Sequence, residues 1–519
     1  MKKLHKFFIA ALLVGSITSC KKFLDVNQNP NNATAATPEL ILRQAIVSTA
    51  SNVVTFNNYG ARLIGYYANA GGVSGWGDII SYNYTTGSFA ALFESVYKIN
   101  NDLQLVVNYS KQDQLHNQFI GAAKVLQAYN FQNLVDVYGD VPYFDALKGS
   151  QALQPKYDKA EAIYKDLAEQ IDAALALFNA EPSGSTQFAS SDPLFNGDIT
   201  RWIKFANTIK LRLILRGGSK VAFTNTSFDP KGFLSEDAVV NPGYVKQDGK
   251  QNPFWNAYAY SASGTAVTTQ VVPTPFVLSF YNNNKINDPD RVALVYKSGL
   301  STPTNQLGYQ GDDAKKSLTP SGWFIGNSAT DYSKIGLIKG PDAPQPIMLA
   351  AESFFLQAQG NLRGLAGVPG TAEENYKAGI LASFKYLNKD NSGSVPASRN
   401  YTTQFNDYYT LNAGNRLVDF SAATSDAQKL EAIVTQAYIA YNMLFGHQAW
   451  FEYLRTGYPA ITGPNTTANR SNTFVSIVSE ATAADKLPTR ILYPASEFKY
   501  NANNIPEVDK YTTKLFYAR

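Results

Sequence analysis

DITRWIKFANTIKLRLILR, residues 198–216, sets Trp202, Phe205, Ile209 and Leu213 at steps of three and four. Those steps stack side chains on one face of an α-helix, so the segment predicts a helix from Asp198 to Arg216 with these four inward. The same period recurs along the chain. Phe119, Ala122, Ala123, Leu126, Tyr129 and Leu134 keep it within 91–138, and Ile163, Leu167, Ile171, Ala174, Leu175 and Phe178 keep it further on. The second of these follows Asp158 and Glu161, a capping-box-like pair that would satisfy free amides at a helix start. Strong runs return at 346–361 and 426–454, and helix signals begin near Pro38 and Glu39. Five or more amphipathic helices in pairs predict a mainly α scaffold of helix hairpins. Their repeat length is too irregular to read as a tetratricopeptide array from the period alone.

Between the helices the composition changes. Residues 57–90 are dense in Gly, Tyr and Asn without sustained helical spacing and predict a long, partly ordered loop region. Residues 225–345, 388–425 and 457–519 are dominated by Gly, Pro, Asn, Ser and Thr. Loops this long are usually functional or disordered, and the aromatics that persist in them favour function. We therefore expect a body over 38–519, with a helical scaffold at about 91–220, 346–387 and 426–455. The loop-rich ligand side is expected at about 57–90 and 225–345.

The amino terminus reads MKKLHKFFIAALLVGSITSC. A basic start precedes an apolar core from Phe7 to Val14, which is too short to span a bilayer and has the length of a signal-peptide core. Ile17, Thr18 and Ser19 before Cys20 resemble the bacterial lipobox, in which the peptidase cuts ahead of a cysteine whose thiol carries a diacylglycerol. Residues 1–19 are thus expected to be a signal peptide, Cys20 the lipidation site, and 20–37 an Asn/Pro/Thr-rich tether. Cys20 is the single cysteine, so no intrachain disulfide and no CxxC metal or redox site can form. More than one acyl chain gives stable anchoring. No other stretch approaches the 18 apolar residues of a transmembrane helix.

The formal charge is +4, but Lys2, Lys3 and Lys6 lie in the expected signal peptide, and without them it is +1. No run of clustered Lys and Arg remains, which sets a nucleic-acid partner aside. Charged residues make up 17%, while the chain holds 43 Asn and 32 Tyr. A surface rich in neutral hydrogen-bonding groups suits a neutral polar ligand.

Catalytic chemistry finds little support. His116 and His447 are the only histidines beyond the signal peptide, each without a second His or Cys near it in sequence. A zinc site or a Ser/His/Asp triad is therefore poorly supported, His447 reads as a packing or capping residue, and neither a metal nor a cofactor is expected. Asp136, Asp140, Asp145, Asp288 and Asp290 are candidate carboxylates for glycoside hydrolysis, a reaction that needs two acids about 5 to 10 Å apart. What stands out is aromatic side chains in polar loops: Trp76, Tyr82 and Tyr84, then Trp255, Tyr258 and Tyr260, then Trp323. A flat ring buries about 150 to 250 Å² when covered, and the CH face of a sugar covers it well. These seven are the candidate ligand-binding residues.

Several long segments carry a family resemblance. CKKFLDVNQNPNNAT at 20–34, DVYGDVPYFDAL at 136–147, RWIKFANTIKLRLILR at 201–216 and NDPDR at 287–291 are followed by PDAPQPIMLAAESFFLQAQGNLRG at 341–364, QAWFEYLRTGYP at 448–459 and LPTRILYPASEFKYN at 487–501. Together they resemble the SusD/RagB family of nutrient-binding outer-membrane lipoproteins, in its SusD-like branch. The resemblance implies tetratricopeptide-type helix pairs opposite a long-loop ligand side. It also implies a protein on the cell exterior that binds an oligosaccharide, or in some branches a peptide. Such a protein acts as the lid of a SusC-like TonB-dependent transporter and breaks no bond. Departures from the family pattern occur at Phe144 and Asp145, at Ala358 to Gly360 and at Tyr453 to Arg455, on helices or their edges. Gly139 and Pro142 read as a turn after a helix, and Arg490 and Tyr493 as ties for the carboxyl end. The alternatives are a lipid-anchored glycoside hydrolase and a structural assembly protein of the envelope.

Overall fold

The computed structural model describes residues 37–70, 76–110, 117–181, 184–267, 271–309, 323, 326 and 328–519. Cys20, the signal peptide, nearly all of the tether and His116 lie outside them. The longer helices, labelled in chain order, are α1 (Pro38–Leu63), α2 (Ala91–Ser110), α3 (Asn117–Tyr138), α4 (Ala160–Ala180) and α5 (Ile199–Gly217), then α6 (Ala350–Leu362), α7 (Ala372–Asn388), α8 (Tyr401–Leu411), α9 (Asp426–Tyr441) and α10 (Gly446–Thr456). Neighbours in sequence pack as neighbours in space: α1 with α2, α2 with α3, α3 with α4, α6 with α7, and α9 with α10. α5 joins the two groups by packing on both α4 and α6, and α10 closes back on α1. The architecture is the mainly α arrangement of helix pairs that the periodicity predicts.

α5 realises the opening stretch closely. Asp198 is its N-cap, accepting from the Arg201 amide at 3.1 Å, and Trp202, Phe205, Ile209 and Leu213 are buried. The start of α4 differs from expectation. Asp158 does not cap it; its carboxylate accepts from the amides of Tyr143 and Phe144 at 2.9 and 2.8 Å. Asp140 takes that place, accepting from the Ala160 amide at 3.0 Å. The reason is topological: β2 (Val141–Pro142) pairs antiparallel with β3 (Tyr157–Asp158), which turns Asp158 toward the preceding loop and brings Asp140 to the helix end. Gly139, at φ +72, makes that turn, in the left-handed region where a side chain is strained.

Two further differences concern segments read as loop. α1 runs on to Leu63 rather than giving way at 57, and α8 forms within 388–425. Asn57 and Asn58 are poor helix formers, yet tertiary contact overrides propensity. The Asn57 side chain accepts from the Gly446 amide at 2.8 Å and donates to the Tyr258 hydroxyl at 3.2 Å. Here α1 and α10 cross so closely that a Cβ on Gly60 would lie 2.2 Å from the His447 nitrogen, and one on Gly446 would lie 2.4 Å from the Ala61 nitrogen.

A chain of buried ion pairs runs through the frame. Arg212 of α5 pairs with Glu352 of α6 at 2.8 Å, and Arg216 pairs with Asp136 of α3 and with Glu452 of α10 at 3.1 Å. Gln132, Gln359, Gln448 and Arg455 add hydrogen bonds to these pairs. The carboxyl end wraps this frame: Arg490 and Tyr493 donate to the Tyr138 carbonyl, Tyr493 also to that of Asp140, and the Tyr517 hydroxyl to that of Asp136 at 2.7 Å.

Candidate functional site

α1 is buried along most of its circumference, but Ser51, Thr55, Asn58 and Arg62 form an exposed or half-exposed polar stripe at steps of four, three and four. Facing this stripe is the short helix Pro253–Tyr258. Between them opens a cleft of about 490 Å³, lined also by Tyr67, Gln251, Asn256, Tyr258 and Val271. Tyr67 and Val271 come from a strand pair, β1 (Tyr67–Asn69) and β4 (Val271–Pro273), which run antiparallel with Tyr67 opposite Pro273.

Hydrogen bonds fix the polar groups. Arg62 donates through Nε to the Tyr67 hydroxyl at 2.9 Å and through Nη2 to Asn58 Oδ1 at 3.1 Å. The Tyr67 hydroxyl in turn donates to Asn58 Oδ1 at 2.7 Å. Gln251 donates to Asn256 Oδ1 at 3.1 Å. Beside the cleft the Trp76 ring is half-buried, edge-on to Tyr67 with centroids 6.3 Å apart, and the Arg62 guanidinium lies 5.3 Å from its centre. Burial pushes the Tyr258 hydroxyl well above its ordinary range, so it stays a neutral donor or acceptor at any physiological pH. The cleft therefore offers amides, hydroxyls and one guanidinium, with the half-exposed Trp76 ring beside it, a set suited to holding a polyhydroxylated ring.

The seven aromatic candidates divide by position. Tyr258 lines this cleft, and Trp76 lies beside it against Tyr67 and Arg62. Trp323 packs behind it, edge-on to both Tyr67 and Tyr258 at 5.4 Å. Trp255 and Tyr260 pack on each other at 6.0 Å, and Trp255 also packs on Tyr332 at 4.7 Å. Tyr82 and Tyr84 lie elsewhere: the Tyr82 hydroxyl accepts from the Ser476 amide at 3.1 Å, and Tyr84 packs edge-on to Phe89. All but Trp76 are at most 7% exposed. Asn58, Arg62, Tyr67, Gln251 and Asn256 were not singled out from sequence. The polar stripe at helical spacing is the available signal, and its second half, Asn58 and Arg62, falls in the stretch read as loop.

Four of the five candidate carboxylates have partners. Asp136 and Asp288 pair with Arg216 and Arg291 in the interior, Asp140 caps α4, and Asp145 pairs with Lys148 at the surface. Asp290 is half-exposed in the first turn of helix Pro289–Val295. His447 is buried among Phe56, Phe445 and Phe451, and burial holds it well below its ordinary range. Among the described residues no group of three or more His, Cys, Asp or Glu is placed to hold a metal ion. No described helix is long and apolar enough to cross a membrane. A cavity of about 550 Å³ near the carboxyl terminus is lined largely by Ala483, Ala484, Leu487 and Pro488. Its one aromatic lining residue, Tyr453, is buried beneath Arg519.

A family model described as SusD-like, starch-binding and associating with the outer membrane, matches residues 30–494. Among solved structures, the chain is similar to a SusD homologue from Bacteroides uniformis, at 21% identity over 92% of this chain and 99% of that one, with a TM-score of 0.66. A chitin-binding SusD homologue from Flavobacterium johnsoniae is similar at 19% identity over 92% and 98%, with a TM-score of 0.64. A SusD-like protein from Bacteroides thetaiotaomicron gives 21%, 92% and 98%, and 0.61. No curated protein sequence matches significantly.

Proposed function

From the premise that this chain belongs to the SusD-like family, we propose that it is a glycan-binding protein of the outer membrane whose ligand site is the cleft between α1 and helix Pro253–Tyr258. The observation that carries the reading is the cleft itself: a half-exposed Trp76 beside a stripe of Ser51, Thr55, Asn58 and Arg62, facing Gln251, Asn256 and Tyr258. Ring faces take the apolar CH surface of a sugar, and the amides and hydroxyls take its hydroxyls. The family description and the chitin-binding homologue support a carbohydrate ligand over a peptide.

Cys20 carries the lipid that tethers the body after residues 1–19 are removed. The loop-rich side faces the exterior, and the protein closes as a lid over a SusC-like TonB-dependent barrel, to which it passes its oligosaccharide. It binds without cleaving. Affinity of about micromolar to millimolar, or 4 to 8 kcal/mol, lets a carrier release its cargo. Trp76 is half-exposed and packs on the core through Tyr67 and Arg62, so Trp76→Ala should weaken binding about tenfold while lowering the unfolding midpoint less than loss of a fully buried ring would. Calorimetric titration with glycan oligomers reads the first and urea unfolding the second. Undiminished affinity in the variant would displace the site from this cleft.

A further inference from the structure

We infer that the ligand carries an anionic group, a uronate carboxylate or a sulfate ester on an otherwise hydroxylated chain, and that Arg62 receives it. This rests on the reading of the cleft as the ligand site. Arg62 is the one charged side chain among the described lining residues, and what holds it is neutral throughout. Its Nε and Nη2 groups are taken by a phenol and an amide, and its plane faces the rings of Tyr67 and Trp76 at 5.8 and 5.3 Å. Nη1 has no protein partner among the described residues.

Other enclosed arginines are treated differently. Arg212, Arg216, Arg291 and Arg455 each face a carboxylate. Arg363 and Arg490 spend donors on backbone carbonyls. Arg62 is positioned by hydrogen bonds but left uncompensated at the wall of the cleft. The rim has the same sign, since Gly249 lies between the exposed Lys246 and Lys250 with the single acid Asp248. A guanidinium in a partly desolvated cleft gains most from a planar anion that accepts its N–H groups as charge-assisted bonds. A hydroxyl would satisfy the donors without meeting the charge.

The test titrates the full-length protein in detergent with two panels. One holds oligogalacturonate, oligoalginate and chondroitin sulfate fragments; the other holds malto-, chito- and xylo-oligosaccharides, with the methyl-esterified oligogalacturonate as a charge-blocked match. The expected result is binding of an anionic member at least about tenfold tighter than any neutral one. That preference should shrink as salt rises and be lost in Arg62→Met. The salt response of the unmodified protein is decisive even where the variant folds poorly. Binding of neutral members alone, or equal affinity for blocked and free acid, overturns the inference and leaves the glycan reading standing. Binding of neither panel overturns both.

Discussion

Lys285 shows how much a single enclosed charge can weigh. Its ammonium lies over Phe276 and Phe280, 4.0 and 4.6 Å from their centres, and has no hydrogen-bond partner among the described residues. Burial pushes its pKa down to about 8. In the unfolded chain it titrates near 10.4, so below pH 8 both states are protonated and the folded state bears the full desolvation cost. As pH rises from 8 to about 10.4 the folded state releases its proton first, and that cost fades. Lys285→Met should therefore stabilise the protein at pH 7 by about 1 to 3 kcal/mol, with the gain vanishing by about pH 10.5. Urea unfolding at both pH values checks the magnitude and the trend. None of this was legible in NNNKINDPDR, because a lysine between Asn residues reads as solvated until Phe276 and Phe280 fold beneath it.

At the scale of the helix, the buried ion pairs decide what each element tolerates. Arg216 serves Asp136 on α3 and Glu452 on α10 together. Burial alone would raise the Glu452 pKa, but Arg455 and Arg216 outweigh it and hold it at about 2. Its contribution to stability is thus present above the unfolded value of about 4.3 and is lost as pH falls toward 2. Arg216→Met strands two buried carboxylates and should cost about 3 to 5 kcal/mol at neutral pH. Because the stranded carboxylates then bind protons more readily in the folded state than in the unfolded one, the variant's deficit should shrink on acidification, in an acid titration followed by circular dichroism. An unfolding midpoint equal to that of the unmodified chain would show that the network relaxes around the loss. The helices themselves were legible because burial on one face writes a period of three and four into the sequence. The partner of each charge was not, since Arg216 and Glu452 are brought together only when α5 and α10 meet.

For the whole molecule, the carboxyl-terminal segment acts as a strap across helices far away in sequence. Leu515 and Tyr517 are buried, and Tyr517 bonds a carbonyl at the end of α3. Ending the chain after Thr513 should lower the unfolding midpoint and open the 489–513 segment to protease. Limited proteolysis followed by mass spectrometry reads this directly, and protection equal to that of the full chain would deny the strap its role. The family, the mainly α frame and the ties of Arg490 and Tyr493 could be read from motifs, which are long and mostly structural. The cleft could not, because its walls come from 51–62, 67, 251–258 and 271. One wall is a helix whose polar stripe looks unremarkable until the rest of α1 is seen to be buried.

The close crossing at Gly60 and Gly446 gives that stripe a further property. α1 cannot slide or tilt without driving its backbone into that of α10, so Ser51 and Arg62 stand a fixed distance apart, about 16 Å along the helix. The cleft wall is a ruler rather than a hand: its backbone is ordered when the protein folds, and capture draws no backbone entropy from it. An oligomer is then selected by whether its own repeat sets the right groups along a rigid scale, and one with a mismatched repeat cannot improve its fit by bending the protein.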